Sequence, residues 1–196
     1  EKTLYGYAWN KVYRVQSLRE SGVVFEKITL IEDIKFNVSY FDSVCSMNVL
    51  NTTPYHYLKR IDGSLTNKFL PDYFTLNAER VFLVLEQYKN WGMCTEEVRR
   101  ILANIYVRYL FSALQRNCDK RSDMNHAQRK EWLKQQYKTP LCKELLSAVQ
   151  ASGTLFKCMA KAFCAGNIPL CLMIARSIFA VKSAFPTVFS TLKQQH

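Results

Sequence analysis

Three groups of side chains in this sequence have types and spacings that could do chemistry. Two adjacent carboxylates, Glu32 and Asp33, end the apolar run "ITLI" and open "EDIKFNVSYF". A carboxylate so placed can take a proton from a hydroxyl as a general base. It can equally stabilise a helix N-terminus, where each acid contributes about 0.3–1 kcal/mol. In "GYAWNKVYR", Trp9, Asn10 and Lys11 present a flat apolar face, an amide and a cation in succession. That set suits a sugar ring and a phosphate, or a helix start with a packed Trp. In "YHYLKRIDGS", Lys59 and Arg60 precede Gly63 and Ser64. Two cations beside a flexible glycine could hold a diphosphate, or form an exposed basic turn. His56 stands alone, and a lone His is more often packed or solvated than a metal ligand.

The elements that must position these groups can be read from periodicity. Tyr7 to Gly22 reads as a short element and then a helix, stopped at Gly22. "VVFEKITLI", Val23 to Ile31, is rich in β-branched residues and predicts a strand. "EDIKFNVSYFDSV" places Ile34, Val38 and Phe41 at helical spacing with both acids in the first turn. "CSMNVLN", Cys45 to Asn51, predicts a second short strand.

From about Asp72 the pattern is helical throughout. Ala78, Val81, Val84, Leu85 and Tyr88 share one face of a helix that ends at Gly92. Thr95 can cap the next, whose stripe runs through Val98, Ile101, Leu102, Ile105, Tyr109 and Leu114. A polar helix follows, and then a helix capped by Thr139 with Pro140 at its first position. Leu145 to Leu192 is the most apolar stretch, broken at Gly153, Gly166, Pro169 and Pro186. It is too often interrupted by Lys and Arg to span a membrane.

Composition limits the classes. At 48% hydrophobic and 22% charged, the chain is that of a folded protein. Its net charge of +11 is concentrated after residue 75, where eighteen Lys and Arg face eight acids and no acid follows Glu144. A basic half of this kind implies an anionic partner. Seven scattered cysteines, with no C-x-x-C pair, predict buried thiols in a reducing, cytoplasmic compartment.

The order and spacing of the three groups carry more than any one of them. W-N-K-x-Y at Trp9 to Tyr13, E-D-x-x-F-N at Glu32 to Asn37 and Y-x-Y-x-x-R-x-x-x-S at Tyr55 to Ser64 together resemble the C-terminal half of family 2 glycosyltransferases. The likeness covers Leu4 to Asn67, about a third of the chain. It implies an inverting, nucleotide-sugar-dependent enzyme of the GT-A fold, of the kind that builds bacterial polysaccharides or glycolipids. On that likeness Asp33 would deprotonate the acceptor hydroxyl and Glu32 would orient the site. Trp9, Asn10 and Lys11 would line the donor–acceptor cleft. Lys59, Arg60 and Ser64 would lie on a loop that closes over the departing diphosphate.

Two departures stand out. No D-x-D occurs in the sequence, so the Mg²⁺ or Mn²⁺ that the family uses is expected on a nucleotide-binding half outside it, with no metal ligand within this chain. Leu58 stands where the family often has Arg, leaving Lys59 and Arg60 to share that role. The first residue is Glu1 rather than Met, and the chain is expected to be a fragment that is inactive by itself.

The expected fold is therefore α+β, mainly α. Partial GT-A strands and helices over residues 1–71 form the acceptor side, and an α-helical bundle covers 72–196. The expected partners are a nucleotide-sugar donor and a sugar or lipid-linked acceptor. The basic helical region adds an anionic membrane surface, met peripherally at its inner face, or a homodimer. The alternative is a basic helical scaffold module contacting membrane or nucleic acid. Nucleic acid is disfavoured, because the aromatics fall on the apolar stripe rather than among the cations.

Overall fold

The computed structural model describes residues 4–28, 30–52, 55 and 69–185. It is mainly α-helical. After a 3₁₀ turn at Leu4–Gly6 come α1 (Val15–Ser21), α2 (Glu32–Phe41), α3 (Tyr73–Asn90) and α4 (Glu96–Arg116). They are followed by α5 (His126–Lys138), α6 (Pro140–Leu146), α7 (Thr154–Cys164) and α8 (Ile168–Ala184).

Among the described residues neither Val23–Ile31 nor Cys45–Asn51 forms a strand. Both segments have strand composition, but strand composition fits a half-buried pleated surface and is not a backbone preference by itself. Without a neighbouring strand to complete the ladder they remain irregular, and Val24, Met47, Val49 and Leu50 are exposed.

The chain divides into two compact units. One comprises the residues up to Leu70 together with Glu79–Cys94. The other comprises Pro71–Ala78 and everything from Thr95 onward.

In the first unit α2 is the buried element. Ile34, Phe36, Asn37, Val38, Tyr40 and Phe41 are all inside, so the helical spacing of Ile34, Val38 and Phe41 reports a core face. Phe36 stacks on Phe25 at 4.0 Å and meets Tyr13 edge-on at 5.4 Å. The 3₁₀ turn lies close to α2, because a Cβ on Gly6 would come within 3.3 Å of Ile34. α1 ends where Gly22 adopts φ 66°, a left-handed C-cap that glycine accepts without steric cost. From α3, Gln87 is buried and makes three contacts. Its Nε2 donates to the Val38 carbonyl (2.6 Å) and to Asp42 (2.7 Å), and its Oε1 accepts from the Tyr5 hydroxyl.

The second unit is a helical bundle around α4, which buries Leu102, Ala103, Tyr106, Val107, Leu110, Phe111 and Leu114. α8 packs on α4, α5 and α7, while α6 packs on α4 and α5. Small residues at Ala103, Ala160, Ala162 and Ala175 are all buried. Thr95 caps α4 by accepting from the Val98 N–H, and Thr139 caps α6 with Pro140 behind it. A capping box at Asn125 and Gln128 starts α5. Pro169 does not break the last apolar stretch. It sits in the first turn of α8, where a missing N–H leaves no bond unmade.

All seven cysteines are free. Cys142 and Cys171 are buried, and burial pushes both thiols up to about 11. Cys45, Cys158 and Cys164 are exposed, so the expectation of uniformly buried thiols holds only in part. No helix among the described residues is long and apolar enough to cross a membrane.

Replacing Gln87 by Leu removes the acceptor of Tyr5 and the donor to Asp42 while leaving the volume similar. The first unit should lose about 1–3 kcal/mol, the cost of stranding buried polar groups. Amide hydrogen exchange should show faster opening over Leu4–Gly6 and α2, with α4 unaffected. Equal acceleration in α4 would refute this local assignment.

Candidate functional site

Asp33 and Glu32 occupy the first turn of α2. The residue before them, Ile31, sits at the N-cap and offers no side-chain hydrogen bond. The first-turn N–H groups of such a helix end have no intrahelical acceptor, so the site favours negative charge. One carboxylate oxygen of Glu32, Oε2, is buried without a hydrogen-bond partner. The chain reaches this helix start through Leu30, which has φ 81°, a left-handed conformation that a branched side chain rarely adopts. The Arg80 guanidinium donates to the Leu30 carbonyl at 2.9 Å and so anchors the turn.

Lys11 lies in the electrostatic field of Asp33. Burial holds its ammonium down to about 8, and the Asp33 carboxylate works against that shift. Lys11 Nζ donates to the Tyr7 carbonyl (2.5 Å) and to Asn10 Oδ1 (2.8 Å), which ties Asn10 and Lys11 into one group. Trp9 is sandwiched between Tyr7 at 5.1 Å and Tyr55 at 5.0 Å, each stacked on it. All three rings are more than a third exposed, so Trp9 is not simply a core residue.

The structure therefore brings Lys11 of the W-N-K group into the field of Asp33 and leaves Trp9 in an open aromatic stack. Lys59, Arg60 and Ser64, with His56 and Gly63, lie outside the described residues.

Reading the sequence by chemistry overlooked Asn37 and Tyr13. Asn37 is fully buried in α2. It accepts from the Tyr13 hydroxyl at 2.7 Å and donates to the Tyr5 carbonyl at 3.0 Å. Burial first, and then the charge of Asp33, pushes Tyr13 up to about 12, so its hydroxyl stays a proton donor. Both residues belong to the quoted motifs, as the last positions of W-N-K-x-Y and E-D-x-x-F-N. That coincidence was the available signal: a polar residue at helical spacing within an apolar face needs a partner.

Among the described residues, no group of three or more His, Cys, Asp or Glu is placed to hold a metal ion. The described side chains do not fit the divalent metal that the family likeness implies. On α4, Tyr106 is buried, and Tyr109 meets Tyr73 edge-on at 6.5 Å. The chain matches no family model, no curated protein and no solved structure.

Two measurements check this geometry. By NMR the Lys11 side chain should titrate near pH 8, and Asp33→Asn should lower the midpoint further by removing the charge that favours the ammonium. A lysine held below its unfolded value costs stability while protonated. The cost is complete below about pH 8 and fades as the pH rises toward the unfolded value of 10.5. A midpoint indifferent to Asp33→Asn would mean that the two groups are not coupled. Separately, Asn37→Ala should destabilise the first unit by about 1–3 kcal/mol in urea unfolding, because it strands the Tyr13 hydroxyl and the Tyr5 carbonyl.

Proposed function

We propose that residues 4–67 form the acceptor side of an inverting, nucleotide-sugar-dependent glycosyltransferase, acting in bacterial polysaccharide or glycolipid synthesis. The observation that carries this reading is the Tyr13–Asn37 hydrogen bond, which holds the W-N-K-x-Y and E-D-x-x-F-N segments side by side. Two motifs linked in this way, with Lys11 in the field of Asp33, suit a cleft that handles a hydroxyl and a leaving anion together.

In the proposed mechanism Asp33 accepts the proton of the acceptor hydroxyl as that oxygen attacks the anomeric carbon. The new glycosidic bond forms on the face opposite the breaking bond to the nucleoside diphosphate, and the configuration inverts. Glu32, one turn position earlier, biases the orientation of the site. The aromatic stack of Tyr7, Trp9 and Tyr55 offers apolar surface to a sugar ring beside the polar pair Asn10 and Lys11. Lys59, Arg60 and Ser64 are assigned to the diphosphate by the sequence likeness, since cations belong where leaving-group charge develops. No D-x-D is present, so the nucleotide and its metal are assigned to a part of the enzyme outside this sequence, and the chain alone is inactive.

The test is a transferase assay on a polypeptide that joins this sequence to its nucleotide-binding half. Asp33→Asn should lower kcat about 10²–10⁴-fold, the usual contribution of a positioned base, with little change in KM for the donor. Undiminished kcat in Asp33→Asn would remove the base assignment. Sugar transfer by the 196-residue chain alone would remove the assignment of the nucleotide site.

A further inference from the structure

α7 and α8 form a helical hairpin joined by Ala165–Asn167, with Gly166 in the left-handed conformation at φ 65°. The two helices pack on one another, and α8 also packs on α4 and α5. Their inner faces bury Met159, Phe163, Cys171, Leu172 and Ala175. Their outer faces differ from the rest of the bundle. Met173 and Val181 on α8, and Phe185 just beyond it, are each more than half exposed. A helix apolar on both faces is expected where both faces are covered.

The charges on these outer faces all have one sign. Lys157, Lys161 and Arg176 are exposed, no acid occurs anywhere after Glu144, and among the described residues no ion pair engages these three. α5 shows the contrast. Its outer face carries Lys130 and Lys134 but also Glu131, which pairs with Lys134 at 3.4 Å, and it has no large exposed apolar side chain.

We infer that the outer face of the α7–α8 hairpin docks on an anionic lipid bilayer, lying in the headgroup region without crossing it. Lysine and arginine meet lipid phosphate there, while Met173, Val181 and Phe185 reach the acyl boundary. No helix among the described residues is long and apolar enough to cross a membrane, and on this inference the hairpin lies in the plane of the surface. A second copy of the chain fits this face less well. A two-fold contact would set the same cations against each other with no acid nearby to offset them. Nucleic acid would satisfy the cations but offers little to the exposed aliphatic side chains Met173 and Val181. The inference does not depend on the transferase reading.

Flotation of the 196-residue chain with vesicles tests it directly. The chain should float with vesicles of phosphatidylglycerol and phosphatidylcholine in equal parts. It should stay down with phosphatidylcholine alone and be released by high salt. Lys157→Gln, Lys161→Gln and Arg176→Gln together should lower partitioning at least ~10-fold, given the attraction of each cation to an anionic leaflet. Lys130→Gln with Lys134→Gln should leave partitioning within about twofold, because Lys134 is already paired with Glu131 and α5 has no large exposed apolar side chain to enter the bilayer beside them. Met173→Ser, at an exposed position that the fold does not need, should weaken binding several-fold. Equal losses from the α5 and α7–α8 variants would overturn the inference in favour of diffuse charge. So would equal binding to both kinds of vesicle. No vesicle binding, with self-association that Met173→Ser abolishes, would assign the face to a second copy instead.

Discussion

The first unit depends on two buried amides, Asn37 and Gln87. An amide inside an apolar core is costly unless its hydrogen bonds are made. Each donates to a backbone carbonyl, of Tyr5 and of Val38 respectively, and each accepts from a tyrosine hydroxyl. Tyr5 and Tyr13 thereby become fixed points for the segment that carries Trp9, Asn10 and Lys11. A chain of short elements with few helical turns has little cooperative backbone bonding of its own, so side-chain bonds with strict geometry supply the register. Apolar contacts alone would hold the 3₁₀ turn near α2 without setting its position to within a hydrogen bond.

The second unit solves its packing differently. Four of its helices, α4, α5, α6 and α8, are capped by Thr95, Asn125, Thr139 and Asn167, and buried alanines and paired rings fill the bundle. Tyr137 stacks on Phe163 at 4.7 Å while its hydroxyl donates to the Phe163 carbonyl, so one side chain serves both apolar and polar needs. In the bundle, backbone hydrogen bonding is local and side chains mostly fill space. In the first unit they also replace missing backbone partners.

This difference explains what could be read from the residues. Helix ends with local signals were legible: Thr95 and Thr139 as caps and Gly22 as a stop each act within a few residues of themselves. Of the stripe read on α4, by contrast, only Leu102 and Leu114 are buried. The segments Val23–Ile31 and Cys45–Asn51 were not, because a strand exists only through a neighbour, and composition cannot say whether one is present. Pro169 was misread as a break for a related reason, since its effect depends on whether it falls in the first turn or later. The chemistry of Glu32, Asp33 and Lys11 was visible as residue types in order. The tie between Tyr13 and Asn37 was not, because it joins positions 24 apart through a side chain that the pattern marks only as a polar residue in an apolar face.

The left-handed Leu30 has a consequence for the order of events in folding. A leucine held at positive φ is disfavoured by about 1–2 kcal/mol and cannot adopt that conformation from local preferences. Its carbonyl is secured by Arg80, fifty residues later in the chain and on another helix. Closing a loop of that length comes late, since its entropy must be lost before the contact returns anything. The helical turns of α2 can form early from their own sequence, whereas the entrance that aims Glu32 and Asp33 is set only when α3 arrives. The most chemically suggestive turn of the molecule is thus held in place by a residue fifty positions away rather than by its own sequence.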